Sequence, residues 1–283
     1  MIFVNEKRVD EKELEVSLVA EALASRAEGA GLTGGDPLAR PRRALAIIRR
    51  LKLTFGEEFH VHLYTSGVTL SEKLIKELIS AGLDELRLHP PRRALDKVLK
   101  LASKFSRDLD IGLELPALPG HEDSLLKLLP LLEESGVKFL NLNELEFSES
   151  NYHALLARGY EIAGDMISAK GSRETALKVI NAAGEMRTGV AVHFCPATSK
   201  DRYQTGLRLY RRGLSVSRAY EYVSDYGTLL YVKGRELRVK LPHALYGKVG
   251  ESVLTSPFLR DYVENPRIVE VLASADRLHV YEE

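Results

Sequence analysis

The chain has 283 residues, room for two domains or one barrel with an appendage at roughly 150 residues per domain. Lys and Arg number 40, as do Asp and Glu, so the formal net charge is zero, which argues against a polybasic tail or a histone-like binder. With 45% hydrophobic and 28% charged residues the composition excludes a disordered chain.

No apolar run reaches the ~18 residues of a membrane span, and the opening residues lack the apolar region of a signal peptide, so a cytoplasmic protein is expected. Many Arg, Lys and Glu with few Cys and Met point to a heat-tolerant source. The single cysteine, Cys195, excludes an intrachain disulfide and an iron–sulfur cluster held by three or four cysteines of this chain.

Helical periodicity alternates with short strand-like runs along most of the chain, the pattern of a parallel α/β protein. In the first helix Val16, Val19, Ala20 and Leu23 share a face; in the second Ala44, Ile47, Ile48 and Leu51; in the third Leu74, Ile75, Leu78 and Ile79. Strands are predicted at 29–33, 59–64, 85–89, 110–115, 138–143 and 189–195, with a weaker one at 160–163. Helices at about 92–106, 121–135, 148–158, 171–183 and 200–212 fill the gaps. After residue 215 the rhythm changes to a hairpin turning at Gly234. The expected organisation is a partial (βα) TIM-like barrel over residues 1–215 and a small β-containing α+β appendage over 216–283.

Strands covered by helices on both faces read as continuous apolar runs, yet these alternate. One set (Phe59, Val61, Leu63, Leu86, Leu88, Ile111, Leu113, Leu115, Leu140, Leu142, Val190, Val192, Phe194) suits packing under helices. The other set is polar or small: Gly31, Thr33, His60, His62, Tyr64, Glu85, Arg87, His89, Gly112, Glu114, Asn141, Asn143, His193 and Cys195. In a barrel these line the interior, and ligands bind at the C-terminal strand ends. An open sheet with one wet face would show the same alternation. The loop Gly34-Gly35-Asp36-Pro37 follows the first of these strands; its glycines let backbone approach a ligand, and Asp36 can accept from an ammonium or hydroxyl.

The segments Ala30-Gly-Leu-Thr-Gly-Gly-Asp-Pro-Leu38, His62-Leu-Tyr-Thr-Ser-Gly67, Glu85-Leu-Arg-Leu-His89, Gly112-Leu-Glu-Leu-Pro-Ala-Leu-Pro-Gly120 and Phe139-Leu-Asn-Leu-Asn-Glu-Leu-Glu146 together resemble the radical SAM superfamily, and within it archaeal proteins related to the pyruvate formate-lyase activating enzyme. The resemblance implies a partial barrel around S-adenosylmethionine. Gly34, Gly35 and Asp36, with Pro37 and Thr65 beside them, would hold the methionine amino end; Arg87 or His89 the carboxylate or ribose; Asn141, Asn143 and Glu144 the adenine side; Glu114 would line the same pocket. Family members carry a [4Fe–4S] cluster on a Cys-x3-Cys-x2-Cys loop after a first strand, and this chain has neither. Two explanations stand: a start that lies inside a longer protein, which is the favoured one, or a cluster-less relative. A 5′-deoxyadenosyl radical is expected only if a cluster segment precedes Met1; otherwise the chain is a nucleotide- or RNA-binding relative without radical chemistry.

Three further readings concern single features. His60, His62, His89 and His193 could form the metal site of a barrel hydrolase. Cys195 ends a strand before a helix, where it could serve catalysis or remain an inert core residue. Arg40, Arg42, Arg43, Arg49 and Arg50 on one helix and Arg202, Arg208, Arg211, Arg212 and Arg218 on another make a nucleic-acid substrate conceivable beside a protein one.

Overall fold

The computed structural model describes residues 1–283, the side chain of Asp201 excepted. The chain divides into two compact units: Glu28–Ser199, and Met1–Ala27 together with Lys200–Glu283.

The chain opens with the hairpin β1 (Ile2–Val4) and β2 (Lys7–Val9) and helix α1 (Leu14–Ala24). The central unit then runs β3 (Gly29–Leu32), α2 (Pro41–Phe55), β4 (His60–Thr65), α3 (Glu72–Ser80), β5 (Glu85–Leu88), α4 (Leu95–Phe105), β6 (Asp110–Ala117), α5 (Glu122–Glu134), β7 (Phe139–Glu144), α6 (Tyr152–Ala157), α7 (Ser172–Met186), β8 (Ala191–Cys195) and the short α8 (Ala197–Ser199). All five strand pairings from β3 to β8 are parallel and follow chain order, with β3 and β8 as the two edges. This is the predicted partial barrel.

Local chemistry sets the helices. Pro41, whose fixed φ suits a first helical residue, begins α2, and Gly56 at φ 89° ends it. The Ser71 hydroxyl accepts from the Leu74 amide at 3.2 Å and caps α3. Each helix lays its apolar stripe on the strands: Ala44, Ile48 and Leu51 from α2, Ile75 and Leu78 from α3, Val98 and Ala102 from α4. Val61, Leu63, Leu86, Leu88, Ile111, Leu113, Leu140 and Leu142 meet them from the sheet and are fully buried. At the N-terminal strand ends the buried Lys52 donates to Asp84 at 2.9 Å and to the Glu57 carbonyl at 2.7 Å, while Asp84 accepts the Val61 amide at 2.6 Å. That clamp ties α2 to the entries of β4 and β5.

The outer unit adds α9 (Gly206–Val216) after a π-helical segment at 200–205, then β9 (Tyr222–Val223), β10 (Thr228–Gly234), β11 (Tyr246–Val249), β12 (Ser252–Thr255), β13 (Arg267–Leu272) and β14 (His279–Glu282). Its antiparallel sheet has the order β11-β12-β10-β13-β14, with β9 also on β10. Leu229, Val269, Val271 and Ala273 form its buried cluster.

Four expectations change. The domain border falls at 199/200 and not at 215/216, because α9 and the N-terminal α1 pack with the antiparallel sheet as one unit. No hairpin turns at Gly234; β10 pairs instead with the distant β12 and β13. Residues 160–163 form no strand: Ile162 bridges only to Ala169, across a turn in which Asp165 accepts the Ile167 and Ser168 amides. In α1, Val16 is 73% and Leu23 63% exposed, whereas Leu14, Glu21 and Ser25 point inward.

The reason for that last inversion is an ion pair. Arg212 on α9 donates its Nε to both Glu21 oxygens at 2.8 and 3.0 Å and its NH1 to the Ala273 carbonyl at 2.7 Å, while Asn5 and Ser25 also donate to Glu21. Breaking a buried pair from one side leaves an uncompensated charge, whereas replacing both partners does not. Chemical denaturation of Arg212→Met should therefore show a loss of about 3–5 kcal/mol, most of it recovered in the double variant Glu21→Leu/Arg212→Met.

Candidate functional site

The interior of the barrel is built in layers set by the parallel register. Tyr64, Arg87, Gly112, Phe139 and Ala191 lie side by side across β4 to β8; the next interior layer toward the C-terminal ends holds Glu114, Asn141 and His193, and the one above it Pro116, Asn143 and Cys195.

The first of these layers is filled. Gly112 leaves room for the Phe139 ring: a Cβ there would stand 1.9 Å from Phe139 Cε2. The Arg87 guanidinium carbon lies 5.3 Å from the Tyr64 ring centroid and 5.9 Å from that of Phe139. Arg87 Nε donates to Glu85, and NH1 to the Tyr64 hydroxyl at 2.8 Å. Burial opposes the Arg87 charge, but the Glu85 hydrogen bond and the neighbouring acids more than offset it and its pKa rises. Burial, and next the Glu114 charge, raise the Tyr64 pKa. Below them the His62 ring packs edge-on to Tyr64 at 5.4 Å, in space that Gly31 leaves open. Its Nδ1 is buried without a hydrogen-bond partner among the described residues, and burial, then Arg87 and His60, push its pKa down to about 4.

The layer above is polar. Glu114 Oε1 accepts from Asn143 Nδ2 at 2.8 Å. Glu114 Oε2 is buried with no hydrogen-bond partner among the described residues, and Arg87 NH1 stands 3.9 Å away. Asn141 and Cys195 are half-buried on the same face, while His89 and His193 are exposed.

At the mouth, the turn after β3 carries Gly34 at φ 85° and Gly35 at φ 57°, and a Cβ on either would meet nothing within 4 Å. Asp36 closes this turn. Its carboxylate accepts from the Leu38 amide at 3.0 Å, from Thr65 Oγ1 at 2.9 and 3.0 Å, and from the Ser66 amide and hydroxyl at 3.1 and 2.7 Å. Burial works against its charge, yet the Ser66 and Thr65 hydrogen bonds outweigh burial and hold the pKa below the ordinary 3.8.

Several of the expected ligand-binding residues are engaged within the protein. Asp36 fastens the β3 loop to the end of β4, so its carboxylate is not open to a ligand ammonium. Thr65 is completely buried beneath it, and Pro37 opens a short 3-10 turn. Glu144 is buried, accepting the Ala197 amide at 2.8 Å with Arg173 Nε at 3.5 Å, and so holds the segment after β8. Arg87 is fixed by Glu85 and Tyr64. Gly34 and Gly35 are exposed, and Glu114, Asn141 and Asn143 are half-buried.

His60, His62, His89 and His193 form no metal centre: among the described residues no group of three or more His, Cys, Asp or Glu side chains could hold an ion. The same observation, with Cys195 as the one cysteine, means that residues 1–283 do not fit a [4Fe–4S] ligand set. The second arginine series does not make one basic face, since Arg212 is buried against Glu21, Arg208 pairs with Glu6 and Arg218 donates to Tyr220. Phe139 is a residue that sequence reasoning passed over; its parity with Asn141 and Asn143, opposite Gly112, is the signal that locates it. No helix is long and apolar enough to cross a membrane among the described residues.

By sequence the chain is related to the radical SAM superfamily, whose family model matches residues 3–91. Its relationship lies with activating enzymes: over 242 residues it is 38% identical to a Methanocaldococcus jannaschii protein named as a glycyl-radical enzyme activating enzyme, covering 81% of this chain. The chain spans 62% of the length of that relative. Crystal structures of Streptococcus suis SuiB, bound to S-adenosylmethionine and bound to its precursor peptide SuiA, match with TM-scores of 0.51 and 0.50 at 12% identity, over 72% of this chain and 46% of SuiB. At that identity the likeness is one of fold.

Two stability measurements test the site's internal chemistry. Asp36→Ala should lower stability by about 2 kcal/mol, because several charge-assisted hydrogen bonds are lost from a half-exposed group. Asp36 is held below its unfolded value, so its contribution is complete above about pH 4 and is lost as pH falls through the folded pKa; Asp36→Asn should abolish that acid-dependent part. For His62, depressed from 6.5 to about 4, the unfolded chain binds a proton that the folded chain refuses, so stability falls as pH drops through that window. In His62→Gln the slope of stability against pH between 6.5 and 4 should flatten, by on the order of 2 kcal/mol across the window.

Proposed function

We propose that residues 28–199 form the S-adenosylmethionine-binding barrel of a radical SAM enzyme that acts on a protein substrate. The observation that carries this reading is the Gly34-Gly35 turn: both residues are left-handed, both present bare backbone to open space, and Asp36 fixes them at the mouth of the barrel beside the end of β4. Backbone in that state offers amides and carbonyls to a ligand with no side chain in the way.

The polar layer beneath the mouth supports the same reading. Gly34 and Gly35 would meet the amino-acid end of the ligand, with His89, Asn141 and Asn143 along its nucleoside and Cys195 at the same rim. Asp36, Thr65, Arg87 and Glu144 hold these groups in position from behind. Bound S-adenosylmethionine would supply the adenosyl group. No radical step rests on residues 1–283 alone, which supply no ligand set for a [4Fe–4S] cluster. The name of the Methanocaldococcus jannaschii relative, a glycyl-radical enzyme activating enzyme, supports a protein substrate.

Isothermal titration of the purified chain with S-adenosylmethionine tests the reading. Binding should be saturable and should weaken at least tenfold in Gly34→Ala, whose strain at positive φ lowers stability by only about 1 kcal/mol. A wild-type chain that gives no binding heat and no thermal shift with the ligand would refute it.

A further inference from the structure

Helix α2 carries Arg42, Arg43, Arg49, Arg50 and Lys52 and no acidic residue, in a chain whose formal charges balance. Lys52 is engaged in the clamp with Asp84. Arg42, Ala46, Arg49 and Leu53 are exposed and recur at helical spacing, so they form one stripe along α2, with Leu53 80% exposed. The nearest acids are already matched: on α3, Glu72 pairs with Lys104 and Glu77 with Lys73 at 3.9 Å. No hydrogen bond or ion pair joins the Arg42 or Arg49 side chain to another described residue.

Between α2 and α3 this stripe meets a cleft of about 440 Å³ lined by Arg49, Lys73, Lys76, Glu77 and Ser80. Lys76 and Ser80 also line a second cleft, of about 480 Å³, together with Ile79, Phe105 and Asp108. Sharing two side chains, the clefts make one groove across the outer faces of α2, α3 and α4. Lys73 and Lys76 are exposed, Ile79 is half-buried and Phe105 buried, so cations stand at the rim and apolar carbon lies at the floor. A surface of this composition complements a segment that is acidic and apolar at once.

We propose that the groove and the α2 stripe dock an acidic, amphipathic helix of a partner protein, its carboxylates on Arg42, Arg49 and Lys76 and its apolar side chains on Leu53, Ile79 and Phe105. A helix suits the spacing. Arg42 and Arg49 stand seven residues apart, about 10.5 Å along α2, and carboxylates seven residues apart on a partner helix repeat at the same distance on one face. A nucleic acid suits it less, because a continuous phosphate chain would meet Glu77 and Asp108 in the groove, and a chain of zero net charge exerts no long-range pull on a polyanion. The docking surface is independent of the ligand proposed at the strand ends.

The test is fluorescence anisotropy on the full chain with a labelled, acetylated peptide of about 18 residues, in which Leu and Ala recur at helical spacing and Glu fills the opposite face. A second peptide has the same composition in an order that forms no amphipathic helix. The first should bind saturably at low salt, be released at 1 M salt, where the Debye length is about 3 Å, and bind about tenfold more tightly than the second. Arg49→Glu/Lys76→Glu should weaken it about tenfold or more, two favourable pairs becoming two repulsive ones, and Leu53→Ser should weaken it as well. Arg211→Glu, which reverses an exposed charge on α9, should leave affinity within about twofold. No binding to the wild-type chain, equal affinity for the two peptides, or equal affinity of the double variant and wild type overturns the proposal. So does an oligothymidylate of about the same length that binds more tightly than the peptide and is lost in the same double variant, which would make the groove a nucleic-acid surface. If the double reversal does not fold, Arg49→Gln/Lys76→Gln decides by the same comparison.

Discussion

A guanidinium lying between two aromatic rings closes the middle of the barrel, and the arrangement of the interior follows from it. Arg87 keeps its charge among buried neighbours because Glu85 is its partner and Tyr64 and Phe139 present their ring faces. Phe139 reaches that place only because Gly112 has no side chain, just as His62 fits only beside Gly31. This layer is filled, and Glu114, Asn141 and Asn143 stand on its C-terminal side. The division into a packed half and a receptive half is thus a property of two glycines and one ion pair.

The mouth illustrates a different economy of groups. A carboxylate next to two glycines invites assignment to a ligand, but the Asp36 carboxylate binds two loops of the protein together and immobilises the backbone between them. Preorganised backbone of this kind gives up little entropy on binding, since the turn is already fixed before the ligand arrives. A second carboxylate, that of Glu114, lies on strand β6, where its position is set by the pleat and by Asn143.

What the sequence made legible was whatever depends on period. Alternation in β4 to β7 separated the helix-facing leucines and valines from the polar interior, and Val61, Leu63, Leu86, Leu113 and Leu140 are buried as that reading requires. What it hid depends on partners distant in the chain. Glu21 draws the polar side of α1 inward because Arg212 waits for it, and no window around residue 21 contains that fact. Asp36 meets Thr65 and Ser66 about thirty positions away, and β10 pairs with strands on both sides of a long excursion. In each case the local pattern was sound and a long-range polar contact decided the outcome.

The strand order has a consequence for how the chain assembles. Each strand from β3 to β8 pairs with the one made just before it, so the central unit can grow during synthesis, every new strand docking on an edge already in place. The outer unit has no such course. Glu21 leaves the ribosome 191 residues ahead of Arg212, which at ~5–20 residues per second is a wait of roughly 10 to 40 s. Throughout that interval α1 carries a charge meant for burial, while the barrel between the two halves of its unit is completed first.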